Sequence, residues 1–406
     1  MPETSQLLAA IADTGRDAVR GGYSRPVFAP AERELLEWYR AELARRELEP
    51  QTDRNGIVWA WWNPGGAPLT GAVVTGSHLD SVPGGGAFDG PLGVASALRA
   101  VDLLRERGVE PVKPLGLAVF PEEEGSRFGV ACLGSRLLTG AITAERALNL
   151  TDPDGNTFAD VARRAGLDPA GFGRDEQALA RIGTFVELHV EQGRGLVDLG
   201  APVAVASSIL GHGRWRFTVH GQGNHAGTTL LADRRDPLLA ASRIVVAARE
   251  VAAAHPGARA TVGRFQPVPG GTNVIASRVD LWLDVRHAED AVTAAVVAEV
   301  TRRAVDLAAG EGCTVEVAEE SSSPTVGFDP ALARRLGRVL PGAPTLATGA
   351  GHDAGVLAGH VPTAMLFTRN PTGVSHSPEE FCTDADAEAG SVALADVLAD
   401  LLLSPA

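Results

Sequence analysis

The segment 77–90 concentrates residue types that can bind a metal ion. It reads SHLDSVPGGGAFDG, so His78, Asp80 and Asp89 stand close together around a run of glycines. Histidines and carboxylates also recur far downstream, at 122–124, His189 and His376. Imidazole and carboxylate groups are common ligands of divalent ions, and ligands so far apart in sequence meet only through a fold.

A pair of divalent ions that share one carboxylate needs a bridging Asp or Glu, several imidazoles and one further carboxylate. The chain supplies this set as His78, Asp89, Glu124, His189 and His376. Asp80 is two residues from His78, so on an extended strand end its carboxylate can accept the other N–H of the imidazole and orient it.

Two adjacent glutamates, Glu123 and Glu124, offer both a metal ligand and a general base. Neighbouring side chains of an extended loop point in opposite directions, so one can bind metal while the other reaches water. Spacing alone leaves open which glutamate has which role. Taken singly, a run of three glutamates is usually a solvated loop, and a lone histidine is more often packed or exposed than a ligand.

The glycine run 84–86 has an alternative interpretation as a phosphate-binding loop. A G-x-G-x-x-G motif would need glycine at position 89, where Asp89 stands, and the run does not follow directly on a strand. A metal site is therefore the stronger interpretation.

The apolar pattern predicts the elements that position these residues. It indicates helices over 5–20 and 31–47, strands over 57–61 and 71–75, a helix from Pro91 to Gly108, and a buried strand from Leu115 that runs into the glutamates. This succession of strand, helix and strand is typical of an α/β layer whose ligands lie at the carboxyl ends of strands.

A second pattern of four strands and two helices begins near Leu210, and the α/β pattern resumes near Pro330 and ends in a helix over 385–403. Because His376 lies in the last part, we interpret the middle part as an insertion. The expected fold class is α/β: a catalytic domain, 1–209 and 327–406, with a mixed, largely parallel sheet flanked by helices, and an inserted α+β domain, 210–326, with a four-stranded sheet.

The composition favours a two-domain protein that binds neither nucleic acid nor membranes. The 406 residues exceed the size at which one core usually stops growing, and 36 basic against 50 acidic residues leave a formal charge of -14. No window resembles a membrane helix, and the N-terminus lacks a secretory pattern. The 3 cysteines have no C-x-x-C spacing, which favours a reducing cytoplasm.

Together these motifs resemble the M20 family of metallopeptidases and amidohydrolases, and within it the branch of allantoate amidohydrolases and N-carbamoyl-L-amino acid hydrolases. The matching blocks lie in order along nearly the whole chain: SHLDSVPGGGAFDG, EEGSRF at 123–128, ELHVEQG at 187–193, GNHAGTT at 223–229 with RRDP at 234–237, GAGHDA at 349–354 and SHSPEE at 375–380.

The resemblance implies a site with two divalent ions in each subunit. In it Asp89 bridges the ions, His78 and His189 bind one, and Glu124 and His376 bind the other. The resemblance also assigns Glu123 as the base. Such mixed ligands suit zinc or manganese, our expectation, and also cobalt or nickel.

The resemblance further implies that the inserted domain is a lid through which a homodimer forms. His225 would reach the active site of the partner subunit and stabilise the oxyanion, while Asn273 and Arg286 would hold the carboxylate of a small substrate. A strand-end ion pair is the ordinary alternative for Arg286. Further candidates for contact with the substrate are His212, Gln192, Arg214 and His352; the branch usually has Gln in place of His212.

The predicted activity is hydrolysis of the C–N bond of an N-carbamoyl or ureido acid such as allantoate, with release of ammonia and CO2. His212 motivates an alternative, an N-formyl or N-formimino acid such as N-formimino-L-glutamate. A dipeptidase or aminopeptidase fits less well, because EEGSRF and GNHAGTT are typical of the amidohydrolase branch. A non-catalytic binding module would lack a ligand or the base, and all are present.

Overall fold

A computed structural model of the chain describes residues 2–404, which divide into two compact units. The larger unit extends up to Ser207 and resumes at Gly327, and the second unit is Ser208–Val326. Each unit packs its apolar side chains into a core of its own. No helix within residues 2–404 is long and apolar enough to cross a membrane.

The strands, in chain order, are β1 Gln51–Thr52, β2 Val58–Trp62, β3 Ala72–His78, β4 Leu115–Phe120, β5 Ile182–Val190, β6 Val203–Ile209, β7 Gly211–His220, β8 Asn224–His225, β9 Arg259–Val268, β10 Val274–Ile275, β11 Arg278–His287, β12 Thr314–Ser323, β13 Val326–Gly327, β14 Thr345–Thr348 and β15 Thr363–Thr368.

The helices are α1 Thr4–Ala9, α2 Pro30–Arg45, α3 Pro91–Glu106, α4 Leu133–Thr139, α5 Ala144–Leu148, α6 Phe158–Arg164, α7 Glu176–Arg181, α8 Gly195–Leu199, α9 Pro237–Ala253, α10 Asp290–Gly310, α11 Pro330–Val339, α12 Asp353–Leu357 and α13 Asp384–Leu403. Short 3-10 turns lie at Pro169–Gly171 and Leu231–Asp233.

The larger unit is built on a mixed sheet. Its strands follow the order β1-β2-β4-β3-β5-β15-β6, and the central strands β4, β3, β5 and β15 are parallel to one another. Every residue of β3, β4 and β15 is buried, as expected for parallel strands covered on both faces. The predicted α/β class is thereby confirmed.

The second unit is an antiparallel sheet with the order β12-β7-β11-β9. Along β7 and β11 apolar and polar residues alternate, so that Phe217, Val219, Leu281 and Leu283 enter a core with helices α9 and α10. The opposite face presents the polar residues of these strands. The predicted four strands and two helices are therefore all present.

One predicted helix is wrong in length. The pattern of residues 5–20 suggested a continuous helix, but α1 ends at Ala9 and turns follow it. Gly15 adopts a left-handed φ of 75°, which ends the regular helical backbone there. Leu7 and Ile11 are nevertheless buried in the core, so the apolar spacing reports burial and not helix length.

Candidate functional site

The segment between β3 and α3 brings its own ligands together. His78 is the last residue of β3, and Pro91 is the first residue of α3, where its missing N–H leaves no hydrogen bond unmade. Gly90 joins the two elements with a φ of 84°, and a Cβ atom added there would lie 2.6 Å from the ring of His78. Any side chain at position 90 would therefore displace the imidazole.

The other predicted ligands lie at the ends of neighbouring strands. Glu123 and Glu124 follow β4, His189 is next to last in β5, and His376 lies in the loop after β15. Because β4, β3, β5 and β15 are parallel, their carboxyl ends meet at one edge of the sheet. The fold thus brings together residues that are far apart in sequence.

The two carboxylate oxygens of Asp89 face two different sets of side chains. Oδ1 lies 3.2 Å from Nε2 of His189 and 3.6 Å from Nε2 of His78. Oδ2 lies 3.3 Å from Nε2 of His376, and this nitrogen is also 3.3 Å from Oε2 of Glu124. In each set the ligand atoms lie within 4.8 Å of one another, which suits one cation per set.

The histidine nitrogens have the protonation pattern that metal binding requires. Nδ1 of His78 is 3.0 Å from the carbonyl oxygen of Asp80, and Nδ1 of His189 is 2.9 Å from that of Val190. Because a carbonyl oxygen only accepts, each Nδ1 carries a proton, which leaves Nε2 as the nitrogen that can bind a metal ion. Both Nε2 atoms are buried without a hydrogen-bond partner in the described chain, and a divalent ion would satisfy them.

The electrostatics of the cluster also favour a cation. Burial opposes the ionisation of Asp89, yet contacts with His189, His376 and His78 hold its pKa well below its usual range. Hydrogen bonds to Asp89 and Glu124 raise the pKa of His376 to about 11. The potential at the His376 ring is therefore strongly negative, and the same potential would attract a divalent ion.

Asp80 does not hold His78 in the expected way. Nδ1 of the imidazole is nearer to the backbone carbonyl of Asp80, at 3.0 Å, than to its carboxylate, at 3.6 Å. The carboxylate instead accepts the backbone N–H groups of Glu123 and Glu124, at 3.2 Å and 3.1 Å. Asp80 therefore orients His78 through its main chain and fixes the glutamate loop through its side chain.

The consecutive glutamates have separate surroundings and do not form a solvated loop. Glu122 is buried, and its Oε1 accepts the backbone N–H groups of Arg127 and Phe128 at 3.0 Å and 2.6 Å. Glu123 is also buried, with Oε2 3.6 Å from Nε2 of His78. Burial raises the pKa of Glu123 well above its usual range. Such a carboxyl group can accept and return a proton.

Two further side chains contact Asp89. Gln192, a predicted contact of the substrate, donates from Nε2 to Oδ2 of Asp89 at 3.0 Å. Glu380, which the sequence reasoning missed, accepts the backbone N–H groups of Phe88 and Asp89 at 3.0 Å each. Burial raises the pKa of Glu380 to about 7. Its place four residues after His376, in the SHSPEE block, is the signal that could have identified it.

His352, another predicted contact of the substrate, also lies in this site. Its ring packs on that of His189, with centroids 4.5 Å apart. The ring is buried, and neither nitrogen has a hydrogen-bond partner in the part of the chain that the structure describes. Burial lowers the pKa of His352 well below its usual range, so the imidazole is neutral.

In the second unit, His225 lies in one of two short paired strands, and Asn273 lies in the turn just before the other. His225 in β8 pairs with Val274 in β10, and both His225 and Asn273 are exposed. The backbone N–H of Gly227 donates to Nδ1 of His225 at 3.0 Å. A neutral imidazole that accepts at Nδ1 carries its proton at Nε2, so His225 has a donor for a ligand.

The predicted contacts Arg286, His212 and Arg214 share the open face of the second unit's sheet. Arg286 stands opposite His212, and Asp284 stands opposite Arg214, on β11 and β7. Asp284 accepts from Nε and Nη2 of Arg286 at 2.8 Å and 3.1 Å, and its Oδ2 lies 3.4 Å from Nε of Arg214. The ion pair considered for Arg286 thus exists, and it orients the guanidinium.

The chain is similar to known proteins over nearly its whole length. The sequence model of peptidase family M20/M25/M40 matches residues 74–400. The N-carbamoyl-L-amino acid amidohydrolase of Geobacillus stearothermophilus is 34% identical over 394 residues, which cover 96% of this chain and 95% of that protein. The allantoate amidohydrolase of Escherichia coli strain K12 is 31% identical over 390 residues, which cover 94% of this chain and 93% of that protein.

The fold is likewise shared with a solved structure. The crystal structure of an amidase of the hydantoinase/carbamoylase family from Burkholderia multivorans has a TM-score of 0.89 and 31% identity to this chain. The comparison covers 100% of this chain and 99% of the other. Both units therefore have counterparts in that enzyme.

Proposed function

The chain belongs to peptidase family M20/M25/M40, and we propose that it is a metal-dependent amidohydrolase that cleaves the C–N bond of an N-carbamoyl or ureido acid. The likeness to an N-carbamoyl-L-amino acid amidohydrolase and an allantoate amidohydrolase supports this class of substrate. Hydrolysis at the carbamoyl carbon would release ammonia and CO2 and would free the amino group of the remaining acid.

The arrangement around Asp89 is the observation on which this proposal depends. One oxygen of the carboxylate faces His78 and His189, and the other faces His376 near Glu124. This geometry supports Asp89 as the bridge between two divalent ions, with zinc or manganese as our expectation and cobalt or nickel as alternatives. Ions bound there would polarise the scissile carbonyl and acidify a water molecule.

Glu123 is the proposed general base. It is buried beside the ligand cluster, and its backbone N–H is fixed by the carboxylate of Asp80. In the first step Glu123 takes a proton from the attacking water, whose oxygen bonds to the carbonyl carbon. In the second step it gives that proton to the leaving nitrogen as the C–N bond breaks.

The second unit would supply recognition of the transition state and of the substrate. Nε2–H of His225 would donate to the oxyanion in the active site of a partner subunit, so the working enzyme would be a homodimer. Asn273 and Arg286 would hold the carboxylate of the substrate, and Asp284 would keep the guanidinium in position for a charge-assisted hydrogen bond.

A different acyl group is the second candidate. His212 stands opposite Arg286 in the sheet, and burial lowers its pKa, so it presents a neutral imidazole where the branch usually has a glutamine amide. An N-formyl or N-formimino acid, which lacks the terminal NH₂ of a carbamoyl group, suits such a contact.

The decisive experiment is a substrate panel with metal analysis. Allantoate, N-carbamoyl, N-formyl and N-formimino amino acids are incubated with wild type and with Glu123→Gln, and ammonia and formate are measured. We expect ammonia from a carbamoyl or ureido substrate, and a loss in kcat of about 100- to 10,000-fold in Glu123→Gln with bound metal retained.

The outcomes separate the parts of the proposal. Release of formate without ammonia would show that the substrate is an N-formyl acid and not an N-carbamoyl acid. A wild type that binds metal but hydrolyses none of the panel would overturn the substrate class, and a wild type that binds no metal would overturn the mechanism. We further propose a cytoplasmic location, in keeping with three buried cysteines that are all free thiols.

A further inference from the structure

The two ring nitrogens of His352 are unpaired within residues 2–404, and metal binding does not explain them. Nε2 of His78 and Nε2 of His189 also lack hydrogen-bond partners, but both face the bridging carboxylate of Asp89. His352 has both ring nitrogens buried and unpaired within residues 2–404, and it belongs to neither set of ligands. Buried polar groups without partners destabilise a fold, so this imidazole is expected to have a partner during turnover.

The backbone around His352 holds the ring in place. The next residue, Asp353, accepts a hydrogen bond from the hydroxyl of Ser135, and the backbone N–H of Ala354 donates to Oε2 of Glu187 at 3.0 Å. The ring itself packs at 55° on that of His189. The position of the imidazole is therefore set by its neighbours before any ligand arrives.

Among the described residues, Glu123 has only a weak hydrogen-bond donor at Oε1. Its Oε2 faces Nε2 of His78 at 3.6 Å, on the side of the metal ligands. Its Oε1 lies 3.5 Å from Sγ of Cys132, and a thiol is only a weak donor. Nδ1 of His352 is 3.9 Å from the same Oε1. An approach of about 1 Å would turn this contact into a normal hydrogen bond.

We propose that His352 is the positioning residue of Glu123: its Nδ1–H donates to Oε1 during turnover and so keeps Oε2 turned toward the reacting water. This inference rests on the proposed function, in which Glu123 moves the proton. It assigns His352 to the base and not to direct contact with the substrate. The bond would be made only in the working complex, which explains why its partners remain apart at rest.

The test compares His352→Phe, which fills the space without a donor, with His352→Asn, whose amide can place an N–H near the Nδ1 position. Kinetics are measured on whichever member of the substrate panel the wild type hydrolyses best. In His352→Phe we expect kcat to fall about 10- to 100-fold with KM changed less than about threefold, because a base displaced by about 1 Å loses that much.

Two measurements distinguish positioning from packing. His352→Phe should keep the full metal content and a Tm equal to or above that of wild type, because it removes two unpaired polar atoms. His352→Asn should recover part of the lost kcat. A structural role would give the reverse: a lower Tm in both variants, and no advantage of Asn over Phe in kcat.

Each remaining outcome decides the matter. Wild-type kcat in His352→Phe would overturn the inference, as would loss of metal restored by excess ion, because His352 would then act through His189. If His352→Phe does not fold, His352→Leu takes its place in the same comparison with His352→Asn. A wild type inactive on the whole panel would overturn the proposed function and this inference with it, whereas an active wild type with a fully active His352→Phe overturns the role of His352 alone.

Discussion

The predicted ligands His78, Asp89 and His189 of the larger unit and the predicted substrate contacts of the second unit differ in burial and in how their side chains are held. In the cluster His78, His189 and Asp89 are at most 3% exposed, and backbone carbonyl groups fix both imidazoles. In the second unit His225 and Asn273 are exposed, His225 in a two-residue strand and Asn273 in the turn just before its two-residue partner strand. Only the first group is fully arranged by its own unit.

This difference separates chemistry from recognition. Buried ligands fixed by main-chain hydrogen bonds give a preorganised site, which is what metal binding and proton transfer require. Exposed side chains on short strands and turns have few neighbours, and under the proposed function those of the second unit would gain partners from the substrate or a second subunit. Substitutions in the two regions should therefore differ in what they remove: metal in the first, catalysis or substrate affinity without loss of metal in the second.

The largest effect is expected for Asp89→Asn. The substitution removes the charge that both ligand sets share, so both ions should be lost and kcat should fall by at least about 1,000-fold. Metal content by mass spectrometry and kcat on the best substrate measure this. Glu124→Gln is the matched control, because it removes a ligand of one set only and should leave one ion per subunit. Two retained ions in Asp89→Asn would show that Asp89 is not the bridge.

The same contrast decides what could be predicted from sequence. The ligand cluster could be predicted because His78, Asp80 and Asp89 lie in one short segment and the ends of predicted strands supply the other ligands. The hydrogen bond of His78 to a backbone carbonyl could not be predicted, because the sequence does not show which oxygen of Asp80 is nearer. Glu380 was missed for the same reason, since its carboxylate acts on backbone N–H groups and not on a ligand side chain.

In the second unit the period-two alternation of apolar residues in β7 and β11 predicted the sheet. It could not predict that Asp284 binds the guanidinium of Arg286, because that contact depends on side-chain conformation within one strand. The predicted length of α1 was wrong because of the local backbone conformation: turns follow Ala9, and Gly15 adopts a left-handed conformation. Patterns of burial are encoded over many residues, whereas such individual contacts depend on one or two.

His225→Ala should give the next largest effect. Loss of one oxyanion donor costs about 100- to 1,000-fold in kcat, whereas metal content and Tm should be unchanged because the side chain is exposed. Mixing His225→Ala with Glu123→Gln and allowing subunit exchange should restore activity, since one active site of the mixed dimer then has both groups. Exchange without recovery would place His225 in the active site of its own chain, or outside catalysis.

Arg286→Lys should act mainly on substrate affinity. A lysine cannot replace the forked N–H groups of a guanidinium, so we expect KM to rise about tenfold with a smaller change in kcat. Arg216→Lys is the matched control: it lies on the same face of β7, it is not a predicted contact of the substrate, and its Nε is 3.7 Å from Oε1 of Glu320. Equal effects of both variants would mean that the charge pattern of this face, and not a grip on the substrate, determines KM.

The smallest effect concerns stability, and it should arise in the larger unit. Glu32 is buried, and burial together with the charge of Asp80 raises its pKa to about 8 from 4.5. A carboxyl group with a raised pKa stabilises the fold below pH 4.5, and this contribution is lost as the pH rises through about 8.

Glu32→Gln stays neutral at every pH and keeps an oxygen for the backbone N–H of Phe28, which donates to Glu32 at 3.1 Å. Its free energy of unfolding should therefore match that of wild type near pH 4 and exceed it by about 1 to 4 kcal/mol at pH 8.5. Denaturant titrations at the two pH values measure the difference. The exposed Glu49→Gln should show no such trend. An equal gain at both pH values would mean that packing, and not the buried charge, separates Glu32→Gln from wild type.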